Sequence, residues 1–267
     1  MTEGFDPDFV ADYERETWSR CADDYVDTFA GITGETVPIL MNSAGIRPGI
    51  KALEIGSGPG HVADMLAQAG ASVSGVDFSE KMVQVARARY PGITFEQADA
   101  EQLPFGVDSF DAVVANFVVH HLARPETALR EVSRVLRPGG RFAFAVWGNP
   151  EEQSSIGAFF GAVMAHHDLD ELPHGPLFGV TERSVYEPLL TQAGLEDCQL
   201  STHEVIWKAD SLDPILKGFW VWGNMAALPV ETQKKIEETT RVNAQPYEQD
   251  GRYAFPHSIL FGSALKP

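Results

Sequence analysis

The eight residues LEIGSGPG (53–60) place glycines at 56, 58 and 60 directly after a short apolar run. Glycine removes the side chain where backbone must turn sharply and where a ligand must come close. The periodic segment that follows, HVADMLAQAG (61–70), starts a helix whose first amides and positive dipole end face the turn. A turn of this kind holds a nucleotide-like ligand, and enzymes using NAD, ATP or S-adenosylmethionine (SAM) all employ one. The G-K-[ST] of a phosphate-cradling loop is missing. A dinucleotide fingerprint, G-x-G-x-x-G, would put its third glycine where this chain has His61. Asp77 follows Gly56 by 21 positions and closes the next apolar run, where a carboxylate accepts both hydroxyls of a ribose. That feature is common to NAD and SAM enzymes. Asp99, within FEQADAEQLPF (95–105), is placed for contact with an adenine edge.

These residues need a scaffold, and the hydrophobic pattern supplies one. KALEI (51–55), SVSGVD (72–77), ITFEQAD (93–99), FDAVVANFVV (110–119) and RFAFAVW (141–147) are strands, the fourth almost wholly apolar as a central parallel strand should be. Between them lie amphipathic helices: Val62, Met65, Leu66 and Ala69 share one face, and Leu129, Val132, Val135 and Leu136 another. Ser79 caps SEKMVQVARARY (79–90), which Pro91 and Gly92 end. Strand–helix alternation of this density predicts an α/β fold with a doubly wound, seven-stranded, mostly parallel sheet of Rossmann-like type. CQLSTHEVIWK (198–208) and RYAFPHSILFGSALK (252–266) are further strands that pair with each other, and SVYEPLLTQAG (184–194) is a helix. A helix over 8–30 carries Trp18, Cys21, Ala22, Tyr25 and Phe29 on one face. FFGAVMAHH (159–167) and the turn-rich LPHGPLFG (172–179) belong to an irregular segment, and 209–250 is mainly helical. The expected organisation is one domain over 1–267, with a core at about 46–148 and a cap drawn from 1–45, 149–182 and 209–250.

Composition narrows the partners. A net charge of −18 over 267 residues repels nucleic acid and anionic membrane surfaces, and fits either a well-solvated surface or a cationic or neutral small-molecule substrate. The acid is concentrated early, with ten Asp/Glu against Arg15 and Arg20 in residues 1–36. Cys21 and Cys198 are far apart with no CxxC, which fits a reducing cytoplasm rather than a disulfide framework or zinc site. The start MTEGFDPDFVADYERE has neither the basic region nor the apolar run of a signal peptide, and no apolar run reaches the roughly 18 residues of a membrane span. A cytoplasmic location is expected.

Five segments, LEIGSGPG, GVDFSEKMV, FEQADAEQLPF, SFDAVVANFVVHHL and REVSRVLRPGGRF, occur in order over roughly residues 50–147. Together they resemble the class I SAM-dependent methyltransferases, particularly the large group similar to ubiquinone/menaquinone-type methyltransferases. The resemblance implies SAM as cofactor; with two distant cysteines and no carboxylate cluster near the fourth strand, no metal is expected. It places the methionine part at Glu54, Gly56, Ser57, Gly58 and Gly60, the ribose at Asp77, and the adenine between Phe78 and Met82 with its edge at Asp99 and Ala100. Asn116 and Phe117 would line the methyl-donor side. A base is required only where the acceptor carries a proton it does not lose unaided. His120 and His121 then stand nearest the methyl, and His120 with Tyr25 resembles the His/Tyr pair of phosphoethanolamine-type members. Acceptor specificity in this group resides in the N-terminal helix and the segment after the fifth strand, which here supply Trp18, Tyr25, Trp147, Phe159, Phe160, His166, His167, Phe219, Trp220 and Trp222. An aromatic lining suits a flat or apolar molecule, with an aromatic or polyketide-like hydroxyl the leading acceptor, or a cationic amine. Two rivals share the motif: an NAD-dependent oxidoreductase, against which the residue at 61 and the LRPGG segment count, and a SAM-binding regulator without turnover.

Overall fold

A computed structural model describes residues 5–168 and 173–267. Residues 1–4 of the chain's start, and 169–172 of the expected 149–182 cap, including Leu172 of the turn-rich stretch, lie outside it. The strands are β1 (Lys51–Ile55), β2 (Ser72–Asp77), β3 (Thr94–Gln97), β4 (Phe110–Asn116), β5 (Leu136–Trp147), β6 (Glu196–Ala209), β7 (Glu248–Gln249) and β8 (Arg252–Leu265). They form one sheet in the order β3-β2-β1-β4-β5-β8-β6. β1 to β5 run parallel, while β8 inserts antiparallel between β5 and β6. The short β7 pairs with β8 and makes eight strands among the described residues where seven were expected.

Side-chain alternation divides the core into two layers. Ala52, Ala112, Val114, Ala143 and Ala145 face one side, where their small size lets the helices Val37–Ala44 and Ser154–His166 settle close to the sheet. Leu53, Ile55, Val113, Phe142, Phe144 and Val146 face the other, against the helices Pro125–Val135 and Arg183–Gln192. The far halves of β6 and β8 carry Trp207 and Phe255 beyond the parallel core, where both are buried among the aromatics of the cap. No helix among the described residues is long and apolar enough to cross a membrane.

Three local readings of the sequence are corrected. The expected helix over 8–30 is broken into Pro7–Cys21, Tyr25–Thr28 and Ala30–Glu35, followed by Val37–Ala44. The breaks let the chain wrap the sheet edge, and Gly31 comes so close to Trp207 that a Cβ there would lie 2.9 Å from the indole nitrogen. FFGAVMAHH is not irregular but belongs to the helix Ser154–His166, which packs along Val230–Ala244. Its buried residues Ser155, Ala158, Phe159, Ala162 and Val163 share one face, but exposed Gly157, Met164 and Ala165 on the open side blur the apolar stripe. β4 stops at Asn116 rather than 119, because Phe117 takes φ 56° and turns the chain out of the sheet.

One side chain ties the wrap to the core. The Asn116 amide donates to the Thr33 carbonyl at 2.8 Å, and its oxygen accepts from the Thr36 hydroxyl at 2.8 Å, all in buried surroundings. Asn116→Ala would remove both contacts and leave the Thr36 hydroxyl only the Thr33 carbonyl, 2.7 Å away, as a partner. The expected loss is about 2 kcal/mol of stability, read from urea unfolding against the parent protein.

Candidate active site

The sheet changes winding direction between β1 and β4, and a crevice opens there beyond the strand ends. On the β1 side, Gly56, Gly58 and Gly60 all adopt positive φ, at 61°, 50° and 88°. A Cβ on Gly56 would stand 2.3 Å from the Val118 side chain, so the two strand ends meet with no room to spare. At Gly58 the same test finds nothing within 4 Å. That position opens on a cleft of about 760 Å³ lined by Gly56, Gly58, Asp77, Phe78, Met82, Asp99, Ala100, Asn116 and Phe117, with Trp18, Tyr25 and His121 at one end.

Asp77 ends β2 nearly sealed from solvent and accepts from the Gly58 amide at 2.8 Å and the Ser79 amide at 2.9 Å. One oxygen serves each amide, so each keeps a lone pair for a ligand hydroxyl. Burial raises this carboxyl from its ordinary value near 3.8 to about 6, against the pull of those two amides. Glu54, on β1, is 1% exposed. Burial holds its carboxyl well above the usual range, although the Ala63 amide donates to it. Its Oε2 and the Ser57 hydroxyl are buried without a partner. Asp99 is exposed and accepts from the Glu101 amide at 2.8 Å, closing a turn at the cleft rim. Glu54, Ser57 and Gly60 lie behind the turn rather than on the cleft surface.

A second cavity, about 610 Å³ and almost wholly apolar, adjoins the first. Trp18, Tyr25, Phe117 and His121 line both. Its remaining walls include Phe29, Trp147, Ile156, Phe160, Phe178, Phe219 and Trp222. Phe117 holds the wall from a left-handed backbone conformation that a bulky residue adopts only when its surroundings impose it. Its ring sits 4.6 Å from that of Trp147.

The two histidines have different environments. His121 presents its ring to both cavities, and its Nδ1 is 2.9 Å from Glu14 Oε1. The other Glu14 oxygen accepts from the Trp18 indole at 3.0 Å. His120 lines neither cavity, and both its ring nitrogens are buried without partners. Burial first, and neighbouring His121 second, hold it well below the ordinary imidazole value. It is a neutral filler beside Phe117 and Phe178. Burial likewise pushes the Tyr25 hydroxyl up, so it keeps its proton and can donate but not abstract.

Not every aromatic named from sequence reaches the second cavity. Trp220 packs edge-on to Phe159 and faces a separate surface hollow with Lys234 and Glu237. Phe159 is fully buried beneath the wall, His166 pairs with Thr239 at 2.8 Å, and His167 is exposed. Glu14 and Phe178 were missed. Glu14 precedes Trp18 by one helical turn, which was legible, but its partner His121 is 107 residues away.

A doubly wound sheet, a left-handed glycine turn and a buried acid at the end of β2 define a Rossmann-like nucleotide-binding domain. Residues 53–144 match the family described as a methyltransferase domain. The demethylmenaquinone methyltransferase of Renibacterium salmoninarum is 37% identical over 112 residues, 42% of this chain and 47% of that protein. The uncharacterized methyltransferase YcgJ of Bacillus subtilis is 35% identical over 140 residues, 51% and 55% of the two chains. The chain thus spans about half the length of the curated relatives it matches. The crystal structure of YcgJ superposes with a TM-score of 0.59 at 22% identity, over 87% of this chain and 98% of the other. Phosphoethanolamine N-methyltransferase 2 of Haemonchus contortus, solved with SAM, gives 0.56 at 20% identity over 88% and 52%. Both show the shared fold. Residues 53–144 of this protein thus carry a methyltransferase domain on a Rossmann-like fold.

The donor set fits SAM: an open glycine cradle and a buried carboxylate with lone pairs for a diol, the unpartnered Glu54 oxygen lying behind the turn. Hydroxyl donation favours the ionised form of Asp77, so SAM binding should release a proton near pH 6. Titration calorimetry should find a Kd that is flat above pH 7 and weakens up to tenfold per unit below about 6, with Asp77→Ala weak throughout. For folding alone the sign is opposite. The native state holds this proton more tightly than the unfolded chain, so the group costs stability as pH rises from about 4 through 6.

Proposed function

We propose that this protein is a SAM-dependent methyltransferase acting on a small, flat, apolar acceptor that carries an ionisable hydroxyl, of the phenol or hydroquinol class. The observation that carries this reading is the wall of Trp18, Tyr25, Phe117 and His121 shared by a polar-ended cleft and an apolar cavity. In this reading Gly56 and Gly58 receive the methionine part of SAM, with Glu54 behind the turn that carries them, and Asp77 its ribose. Phe78 and Met82 enclose the adenine, with Asp99 and Ala100 at its edge. The Asn116 side chain is already committed to Thr33 and Thr36, so only its backbone surroundings contribute. SAM, when bound, supplies a methyl group on a positively charged sulfur.

The chain's own residues do the rest. The apolar cavity excludes water and holds the acceptor ring, so that its nucleophilic atom points through the shared wall. His121 Nε2 takes the hydroxyl proton, and the resulting phenolate reacts at oxygen or at an adjacent carbon. Tyr25, held neutral, donates to an acceptor oxygen. The cavity walls come from all three expected cap segments: Trp18 and Tyr25 from the first, Phe160 and Phe178 from the second, Phe219 and Trp222 from the third. That supports the division into core and cap. The demethylmenaquinone methyltransferase relatives support a quinone-type acceptor. The scarcity of polar groups in the cavity favours a neutral ring over a phosphorylated or strongly cationic amine.

The test is transfer of labelled methyl from SAM to a prenylated 1,4-naphthohydroquinone and to 1-naphthol, with phosphoethanolamine as contrast. Methylation of the aromatic hydroxyl compounds alone is expected. Phe160→Asp should raise the acceptor KM at least tenfold and leave the SAM Kd within twofold, since Phe160 lines only the second cavity. Transfer to phosphoethanolamine alone would overturn the acceptor assignment.

A further inference from the structure

We infer that Glu14 is a positioning residue for this reaction: its carboxylate holds His121 in the tautomer that turns a bare Nε2 toward the acceptor. The inference rests on the methyltransferase reading of the site and concerns a residue in the N-terminal helix, far in sequence from the matched domain.

Glu14 is a charged side chain with 4% exposure, placed where an uncharged residue would cost nothing to bury. It is held in place from two sides. Oε2 accepts from the Trp18 indole at 3.0 Å, and Oε1 lies 2.9 Å from His121 Nδ1. An indole nitrogen can only donate, so the carboxylate is fixed as an acceptor at that contact. A carboxylate accepting at both oxygens requires the proton of neutral His121 to sit on Nδ1. Nε2 is then the lone-pair nitrogen, on a ring that lines the wall between the two cavities. A free imidazole side chain prefers the opposite tautomer, with Nε2 protonated and unable to act as a base. The carboxylate also stabilises the imidazolium formed when Nε2 takes a proton, as the orienting acid does in a His–carboxylate pair. His120 cannot substitute, because both its nitrogens are sealed away from either cavity.

The step balances. The acceptor O–H proton passes to His121 Nε2, the freed electron pair forms the new bond to the methyl carbon, and the S–CH₃ pair remains on sulfur. Glu14 keeps its charge throughout, and the imidazolium proton is lost to solvent after transfer.

The experiment uses the full chain, with ¹⁵N-labelled histidine and long-range ring correlations, His121→Gln identifying the His121 signals. The native protein should show Nδ1 protonated and Nε2 bare without added cofactor or acceptor. Glu14→Leu, which keeps the apolar bulk and the helix, should switch His121 to the Nε2–H form. It should also slow single-turnover transfer to 1-naphthol about 100-fold, with the SAM Kd within threefold. Asp8→Ala serves as the control for helix docking, because it releases the Asp8–Arg124 tie of the same helix without touching the imidazole. It should leave the tautomer native. An Nε2–H tautomer in the native protein, a tautomer unchanged by Glu14→Leu, a switch with no loss of rate, or the same switch in Asp8→Ala would each overturn the assignment. Absence of transfer by the native protein would fall on the methyltransferase reading instead, and the tautomer would still decide for Glu14.

Discussion

The constraint on which the site depends is the close approach of Gly56 to Val118. A single added carbon at 56 would sit 2.3 Å from a Val118 methyl, so β1 and the turn after β4 are pressed together at the point where the sheet reverses its winding. Because the chain closes tightly there, it must diverge on either side. One divergence becomes the cleft above Gly58 and Asp77, the other the apolar cavity under Trp147 and Phe160. Phe117, next to Val118, pays for the arrangement with a left-handed backbone and becomes the partition between them.

Three carboxylates are buried around this partition: Glu54, Asp77 and Glu14. Burying a carboxylate is unfavourable unless hydrogen bonds or a cation compensate. Asp77 receives two backbone amides and Glu14 two side-chain nitrogens, whereas Glu54 keeps an unpartnered oxygen. The deficit is therefore left at Glu54, behind the glycine turn. The elevated carboxyls of Glu54 and Asp77 record the same cost in protonation.

The acid-rich N-terminus also has a use. Asp8, Asp23 and Asp24 reach Arg124, Lys81 and Lys217, on three separate segments, while Glu14 reaches His121 and the Ser19 hydroxyl meets that of Ser79 at 2.8 Å. Exposed pairs of this kind contribute little individually and weaken with salt. Their effect here is to lay the helix Pro7–Cys21 across the cofactor cleft, which brings Trp18 to both cavities.

The local chemistry of the core was determined by sequence alone. β1 and β2 match their expected bounds, and the Gly turn, the Ser79 cap and Asp77 at a strand end follow from periodicity, capping and glycine geometry, all of which act over a few residues. Those rules do not say where a strand must stop when its neighbour crowds it, so the end of β4 at Asn116 was beyond them. Nor do they find a helix whose exposed side also carries small and apolar residues such as Gly157, Met164 and Ala165, which is why Ser154–His166 escaped. The aromatic residues of the cap were visible as a class, but which of them face the cavity depends on helix rotation: Trp222 does and Trp220 does not. The choice between two adjacent histidines was likewise tertiary. His120 and His121 are chemically identical in the sequence, and only the fold, by sealing one ring and bringing Glu14 across 107 residues to the other, gives them different surroundings.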